Sequence, residues 1–301
     1  MIRPARFGAN PETADSNRFQ HADALKGDIV TAVREFDGLA RRLADAGIEV
    51  IVAEDSPDPA KPDACFPNNW VTFHADGSVV LYPMMAPSRR AERRGEPIAA
   101  VERAGYQITR TIDLSPLEAR KEFLEGTGSL VLDRPRRIAY ACRSPRTTAG
   151  ALAEFSAALG YRIVSFDALG PEGRPAYHTN VLMAIGEGFA VVCAESIASG
   201  ASRAAVLEEL GRDGREVVVI DTGEMNGFAG NLLALRSRGG EPVVAMSEAA
   251  FGALVPEKRR RIERHGAIVS VAIPTIERFG GGSVRCMLAE VFLPRGAVEP
   301  R

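Results

Sequence analysis

The sequence predicts an α/β fold in which five related units close into one ring, a single domain over residues 1–301. Two observations lead there. An order of helix, strand and β-hairpin recurs roughly every 50 to 60 residues, a spacing at which internal repeats are sought first. No linker-like stretch interrupts that order. Radial repetition of this kind buries a shared core and leaves only short sheet edges.

The first unit opens with a helix from about His21 to Ala46. Leu25, Ile29, Val33, Phe36, Leu39 and Leu43 recur there at helical spacing, and Gly47 stops it. Strand Ile48–Val52 and loop Pro57–Asn69 follow. The hairpin joins Trp70–His74 to Val79–Tyr82 through Asp76-Gly77, a good turn signal. The second unit has a helix over about Ala91–Ala104, strand Gln107–Leu114 and loop Glu125–Gly128. Its hairpin pairs Leu130–Leu132 with Ile138–Cys142. The third has helix Thr148–Leu159, strand Arg162–Phe166, loop Pro171–Thr179 and hairpin Val181–Ile185 with Phe189–Val192. The fourth has helix Ser202–Leu210, strand Glu216–Ile220, loop Glu224–Gly230 and hairpin Leu232–Leu235 with Val243–Met246. The fifth has helix Pro256–His265 and strand Ala267–Ile273. A glycine-rich loop at Gly280 then leads into an apolar run, Leu288–Leu293, that reads as a buried strand.

Composition narrows the class. The formal net charge of −2 gives no footing for nucleic acid or an anionic membrane. The basic run Lys258–Arg261 falls inside a helical pattern and reads as a solvated face. Cys65, Cys142, Cys193 and Cys286 are widely spaced with no CxxC pair, so a zinc site has no support. The N-terminus lacks an apolar signal core, and no apolar run reaches membrane-spanning length. The expectation is a reduced, cytoplasmic, soluble protein.

The polar residues fall at equivalent places. Loops ahead of the hairpins carry Asn68 and Asn69, then Glu125, then His178 and Asn180, then Asn226. Gly280-Gly281-Gly282-Ser283-Val284-Arg285-Cys286 stands at the corresponding place in the last unit. If rotation relates the units, these loops share one end of a central channel. Sequence-distant Cys, His and Glu then converge, as a cysteine nucleophile requires. Taken singly, Cys286 is a packing residue, Glu125 a solvated carboxylate and Asn68-Asn69 a turn. Their recurrence favours the joint reading. Cys65 reads as core, and Asn226 is a substrate-contact candidate through its loop alone.

With these residues in view the chain resembles the guanidine-modifying, or pentein, superfamily. That superfamily includes arginine deiminases, dimethylarginine dimethylaminohydrolases and amidinotransferases. The likeness is greatest to the arginine-deiminase-related group with citrulline-utilisation hydrolases. The matching runs are Arg3-Pro4 with Phe7, Asn10–Thr13, Phe66–His74, Pro87–Glu92, Glu125–Gly128, His178-Thr179-Asn180 and Gly280–Met287. The resemblance implies a five-bladed α/β propeller with pseudo-fivefold repeats. It makes Cys286 the nucleophile, His178 the proton donor and water activator, and Glu125 the acid that completes the set. It gives Arg89 and Arg146 to the substrate α-carboxylate, for which their planar forks suit. A nearby arginine or imidazolium is expected to lower the thiol pKa. The implied partner is a small amino acid. No metal or organic cofactor, nucleic acid or membrane is implied, and self-association stays open.

Three positions depart from the family pattern. Asn69 and Asn180 stand where relatives carry carboxylates, and Gly128 replaces the acid of a Glu-Gly-Gly-Asp motif. Removing one partner of a buried charge pair costs about 2–5 kcal/mol. An amide both donates and accepts, which suits a ureido group better than a guanidinium. The expected reaction is citrulline to ornithine, ammonia and carbon dioxide, with Asn68, Asn69 and Asn180 as substrate contacts. The alternatives on this fold are an arginine deiminase, a methylarginine hydrolase or an amidinotransferase, and in another class a non-catalytic binding module. The polar stretch Gly8–Gln20 is expected to act as a lid.

Overall fold

Among the described residues short strands form five small sheets, and four share one build. The computed structural model describes residues 1–21, 28–170 and 173–296. In each of the four, a hairpin pairs antiparallel and a third strand lies parallel to its second arm. The strands are Val71–Phe73, Ser78–Leu81 and Arg110–Asp113, then Val131–Asp133, Ile138–Cys142 and Arg162–Phe166. Next come Met183–Ile185, Phe189–Val192 and Glu216–Val219, then Leu233–Arg236, Pro242–Ser247 and Ala267–Val271. A parallel pair needs a crossover. Helices Gly95–Arg103, Ala149–Leu159, Gly200–Gly211 and Pro256–Glu263 lie in these crossovers. The helix and strand that open a unit in the sequence pattern therefore complete the sheet of the preceding hairpin.

The remaining sheet pairs Ile2–Arg3 with Ala53–Glu54 in parallel. Helix Ile29–Asp45 lies between them, capped by Asp28, whose carboxylate accepts from the Val30 and Thr31 amides. Residues 22–27, part of the expected helix, lie outside the described residues. Two expected strands are absent from the ladders. Among the described residues Ile48–Val52 joins no ladder and only Ala53–Glu54 does, although the Met1 amino group donates to the Ile51 carbonyl at 2.8 Å. Its apolar residues are satisfied by packing instead, with Ile48 and Val50 against one core cluster and Ile51 against another. Leu288–Leu293 also joins no sheet among the described residues. Leu288 and Leu293 are buried, whereas Phe292 is exposed beneath the Arg134 guanidinium, 3.9 Å from its ring centroid.

The helices bury the faces their periodicity marks. Phe36, Leu39 and Leu43 pack with Ile276 and Met287, and Phe155 packs with Tyr82 and Tyr161. Ile2 and Leu293 share a cluster with Trp70 and Val71, so both ends of the described chain meet in one core. A cavity of about 870 Å³ is walled by the first hairpin strands, through Val71, Leu132, Ile185 and Leu233, and by Ile2 and Val291. Among the described residues no helix is long and apolar enough to cross a membrane.

Phe155 has no exposed surface. Phe155→Ala is expected to lower stability by about 3–5 kcal/mol through lost burial and a cavity, read as an earlier midpoint in chemical denaturation.

Candidate active site

Asn68, Asn69, Glu125, His178, Asn180 and Cys286 sit in, or immediately before, single helical turns. These turns are Pro67–Asn69, Gly126–Ser129, Thr179–Val181 and Val284–Met287. The first three lead directly into a hairpin's inner strand. Glu125 and His178 are the N-cap residues of their turns. Cys286 lies within the last turn, not at the mouth of a strand, and its amide donates to the Ser283 carbonyl at 2.9 Å. Glycine is required at position 126, and Gly128 sits in a close approach. A Cβ at Gly126, at φ +45°, would collide with the Asn68 carbonyl and lie 2.9 Å from that of Asn69. A Cβ at Gly128 would strike the Asn69 amide nitrogen and sit 2.7 Å from His178 Nδ1. A side chain at position 128 would therefore require Asn69 or His178 to shift.

A small cavity, about 20 Å³, gathers Cys286, His178, Asn69, Arg89 and Arg146. That volume suits about one water, not an amino acid. Glu125 lies directly behind it, with no exposed surface. Its Oε2 takes a hydrogen bond from His178 Nε2 at 2.8 Å and one from Arg146 at 3.3 Å, while Oε1 accepts from the Met85 amide at 3.2 Å. Burial alone would raise this carboxyl; Arg146, His178 and Arg89 outweigh it and hold it well below the usual range. With Nε2 donating to an ionised Glu125, Nδ1 is the nitrogen left with a lone pair. Burial pushes His178 down to about 4 despite Glu125, so the imidazole is neutral at neutral pH.

Both arginines are already engaged. Arg89 places Nε and one Nη on the Glu92 carboxylate, each at 2.9 Å, and its other Nη donates to Asn69 Oδ1 at 2.8 Å. Arg146 holds Ser16 Oγ and the Thr13 carbonyl. Asn69 is thereby fixed in orientation: its oxygen faces Arg89, and its Nδ2 is buried with no hydrogen-bond partner among the described residues.

Cys286 is 3% exposed. Burial pushes its thiol up, and hydrogen bonds from Asn231 and Asn180 with the charge of Arg285 only partly oppose this. The sequence-based expectation of a thiol lowered by adjacent cations is therefore not met in this conformation. Arg285 turns away, donating to the Leu288 carbonyl and pairing with Glu290 at 3.2 Å.

Asn68 and Asn180 do not line the cavity. Asn68 is buried, with neither side-chain atom bonded among the described residues; Asn180 faces the sulfur. Asn226 is exposed and accepts from Arg18 at 2.8 Å, away from the cavity. Cys65 is core. Sequence reasoning missed four neighbours. Asp63 lines the cavity and accepts from Asn10 at 2.7 Å, so a carboxylate is present where the motif comparison counted none. Asn17 and Thr13 roof the cavity, Asn17 donating to the Gly281 carbonyl at 3.2 Å. Asn231 donates to Cys286 Sγ at 3.3 Å. A signal existed for Asn231. Asn69 and Asn231 both stand two residues ahead of the first paired residue of their hairpins, Val71 and Leu233.

A pH dependence follows from His178. Its pKa is about 6.5 unfolded and about 4 folded, so the unfolded state binds the proton first on acidification. The stability contribution is complete above pH 6.5 and declines as pH falls towards 4. His178→Asn should make denaturation midpoints fall less steeply over that interval, measured beside the parent protein.

The model of the N,N-dimethylarginine dimethylhydrolase family, eukaryotic, matches residues 3–293. No curated protein matches the chain. Among solved structures, the arginine dihydrolase ArgZ of the cyanobacterial ornithine–ammonia cycle superposes with a TM-score of 0.76 at 16% identity. The match covers 99% of this chain and 41% of that one, so the chain spans about two fifths of ArgZ's length. The substrate-bound N-terminal domain of ArgZ gives 0.74 at 16% identity, covering 97% of this chain and 98% of that domain. A dimethylarginine dimethylaminohydrolase adduct with S-methyl-L-thiocitrulline gives 0.62 at 16%, covering 95% and 96%. These likenesses show an α/β fold of the pentein kind. By the extent of the family match, the chain belongs to the dimethylarginine dimethylhydrolase family of the pentein superfamily, hydrolases of C–N bonds in guanidino compounds.

Proposed function

We propose that the protein hydrolyses arginine through a ureido stage to ornithine, ammonia and carbon dioxide, with Cys286 as nucleophile, His178 as proton carrier and Glu125 as its orienting base. The observation that carries this reading is the hydrogen-bond polarity of the cavity. Asp63 offers an acceptor suited to a guanidinium. Asn69, its oxygen held by Arg89, offers a free N–H suited to a ureido oxygen. Citrulline enters the same sequence at its second half. Asp63 replaces the premise that no carboxylate faces the substrate.

Each half proceeds alike. His178 Nδ1 takes the proton of the Cys286 thiol as Sγ bonds to the central carbon, then delivers it to the departing nitrogen so that ammonia leaves. Water then attacks the thiouronium or thiocarbamate carbon, gives its proton to Nδ1 and releases the thiolate. The first half yields the ureido acid. The second yields a carbamate that loses carbon dioxide. Arginine and two waters balance ornithine, two ammonia and one carbon dioxide. A positioned acid–base group of this kind contributes typically about 10²–10⁴ in rate. In the resting site the thiol is raised and the imidazole lowered, so a cationic substrate would supply the charge that favours the thiolate. Within this reading, residues 1–301 are a single catalytic domain, its five sheets closed as the blades of a propeller. Arg146, released from the roof, binds the substrate carboxylate; Arg89 shapes Asn69.

Product analysis with arginine, citrulline and dimethylarginine tests the assignment. Ornithine is expected from the first two, with dimethylarginine slowest, and Cys286→Ala should yield none. Asn69→Asp should leave arginine turnover measurable but let citrulline accumulate, with ornithine formation down about 10-fold or more, a lost hydrogen bond to the reacting group costing roughly 1.5–3 kcal/mol. Dimethylarginine as the best substrate, or ornithine formation unchanged in Asn69→Asp, would reject it.

The roof supports the expected lid over Gly8–Gln20. Asn10 reaches Asp63 and Ser88, Glu12 accepts from the Ser88 amide at 2.8 Å, and Arg146 holds Thr13 and Ser16. A 20 Å³ cavity cannot admit arginine unless this roof lifts. Amide exchange over residues 10–20 should therefore be fast in the free enzyme and slower with citrulline bound to Cys286→Ala; equal exchange in both states counts against a lid.

A further inference from the structure

Two amides converge on one sulfur in the floor of the site. Asn231 Nδ2 donates to the Asn180 carbonyl at 2.9 Å and to Cys286 Sγ at 3.3 Å. Asn180 Nδ2 donates to the Thr127 carbonyl at 3.1 Å and to the same sulfur at 3.6 Å. A carbonyl oxygen accepts only from an N–H. Each backbone carbonyl therefore fixes which end of its amide is nitrogen, and the second N–H of each NH₂ group is left for the sulfur. The Oδ1 atoms lie farther from Sγ, at 3.6 Å for Asn231 and 3.9 Å for Asn180. Both asparagines are at most 1% exposed, so no solvent competes for these donors.

We infer that Asn231 and Asn180 form a two-amide cradle that stabilises the Cys286 thiolate, with Asn231 an unassigned positioning residue of the reaction. The inference rests on Cys286 being the nucleophile. It gives Asn180 a partner in the enzyme instead of the substrate. The cradle compensates for what the surroundings withhold: His178 is neutral and Arg285 is tied to Leu288 and Glu290. Anchoring by carbonyls of the two preceding units means that the donors need not reorganise when the thiol ionises, as preorganised dipoles should not. The cradle also serves the step in which thiolate leaves, since the sulfur regains its charge there.

The test is the pH dependence of Cys286 alkylation by iodoacetamide, followed by mass spectrometry of the Cys286 peptide and needing no turnover. Asn231→Ala should raise the midpoint by about 1–2 pH units, the size expected for losing one hydrogen bond to a charged group. The near-isosteric Asn231→Asp should raise it at least as far, because its carboxylate repels the thiolate. Asn180→Ala should shift it in the same direction. In turnover, the alkaline kcat/KM profile should move with these midpoints and kcat should fall more than KM rises. A purely structural role would lower thermal stability without moving either profile. An unmoved midpoint in any folded member of the three overturns the cradle. Cys286→Ala is the separate control: full activity there would refute the nucleophile itself, whereas its inactivity beside unmoved midpoints would refute the cradle alone.

Discussion

The structure depends on keeping one carboxylate ionised where no water reaches it. Glu125 has no exposed surface, and its charge is tolerated because Arg146, His178, Arg89 and the Met85 amide surround it. Those partners come from separate parts of the chain, so the charge can be buried only when several sheets are assembled. Removing one partner of such a set is costly, because it leaves an uncompensated charge in a low-dielectric interior. The same carboxylate selects the imidazole tautomer and leaves the lone pair on Nδ1. Fold and chemistry are thus coupled at a single atom, Oε2, which both His178 and Arg146 address.

The repeat explains how such a set is assembled from a regular pattern. A helical turn ahead of an inner strand presents side chains towards one end of the assembly, and the turns also bind one another. Thr127 Oγ1 reaches the Asn68 carbonyl, Asn180 reaches that of Thr127, and Asn231 reaches that of Asn180. Each unit holds the one before it, and the last donors point at the cysteine. A polar side chain bonded to a neighbouring unit's backbone is satisfied in burial, and it also fixes register between sheets.

Much of this was legible in the chain. Helical periodicity located Phe36, Leu39 and Leu43, and the hairpins were marked by turn residues such as Asp76-Gly77. Equivalent placement of polar residues picked out Glu125, His178 and Asn69. What was not legible depended on three-dimensional partners. Ile48–Val52 and Leu288–Leu293 carry strand-like apolar patterns, but packing satisfies the former without a ladder, and pattern alone does not distinguish the two. Asn226 ends the helix Thr222–Asn226, and Asn231 stands five residues further on. Only hairpin register separates the exposed one from the one against the sulfur. Asp63 is hidden for the opposite reason: it precedes the recognised run and enters the cavity through a bond to Asn10, 53 residues away in sequence.

The amide at position 69 acquires its meaning from Arg89. An isolated asparagine offers a donor and an acceptor and discriminates little between a guanidinium and a urea. Here the Arg89 fork takes the oxygen, and Glu92 holds that fork from the other side. The orientation is set before any ligand arrives, and a donor is what remains. A carboxylate in its place would satisfy Arg89 with either oxygen and present the other, turning the cavity from donor to acceptor. The substrate's hydrogen-bond polarity would then reverse through a change of one atom. In the proposed reaction, chemical selectivity is therefore a property of the Glu92–Arg89–Asn69 chain rather than of Asn69 alone.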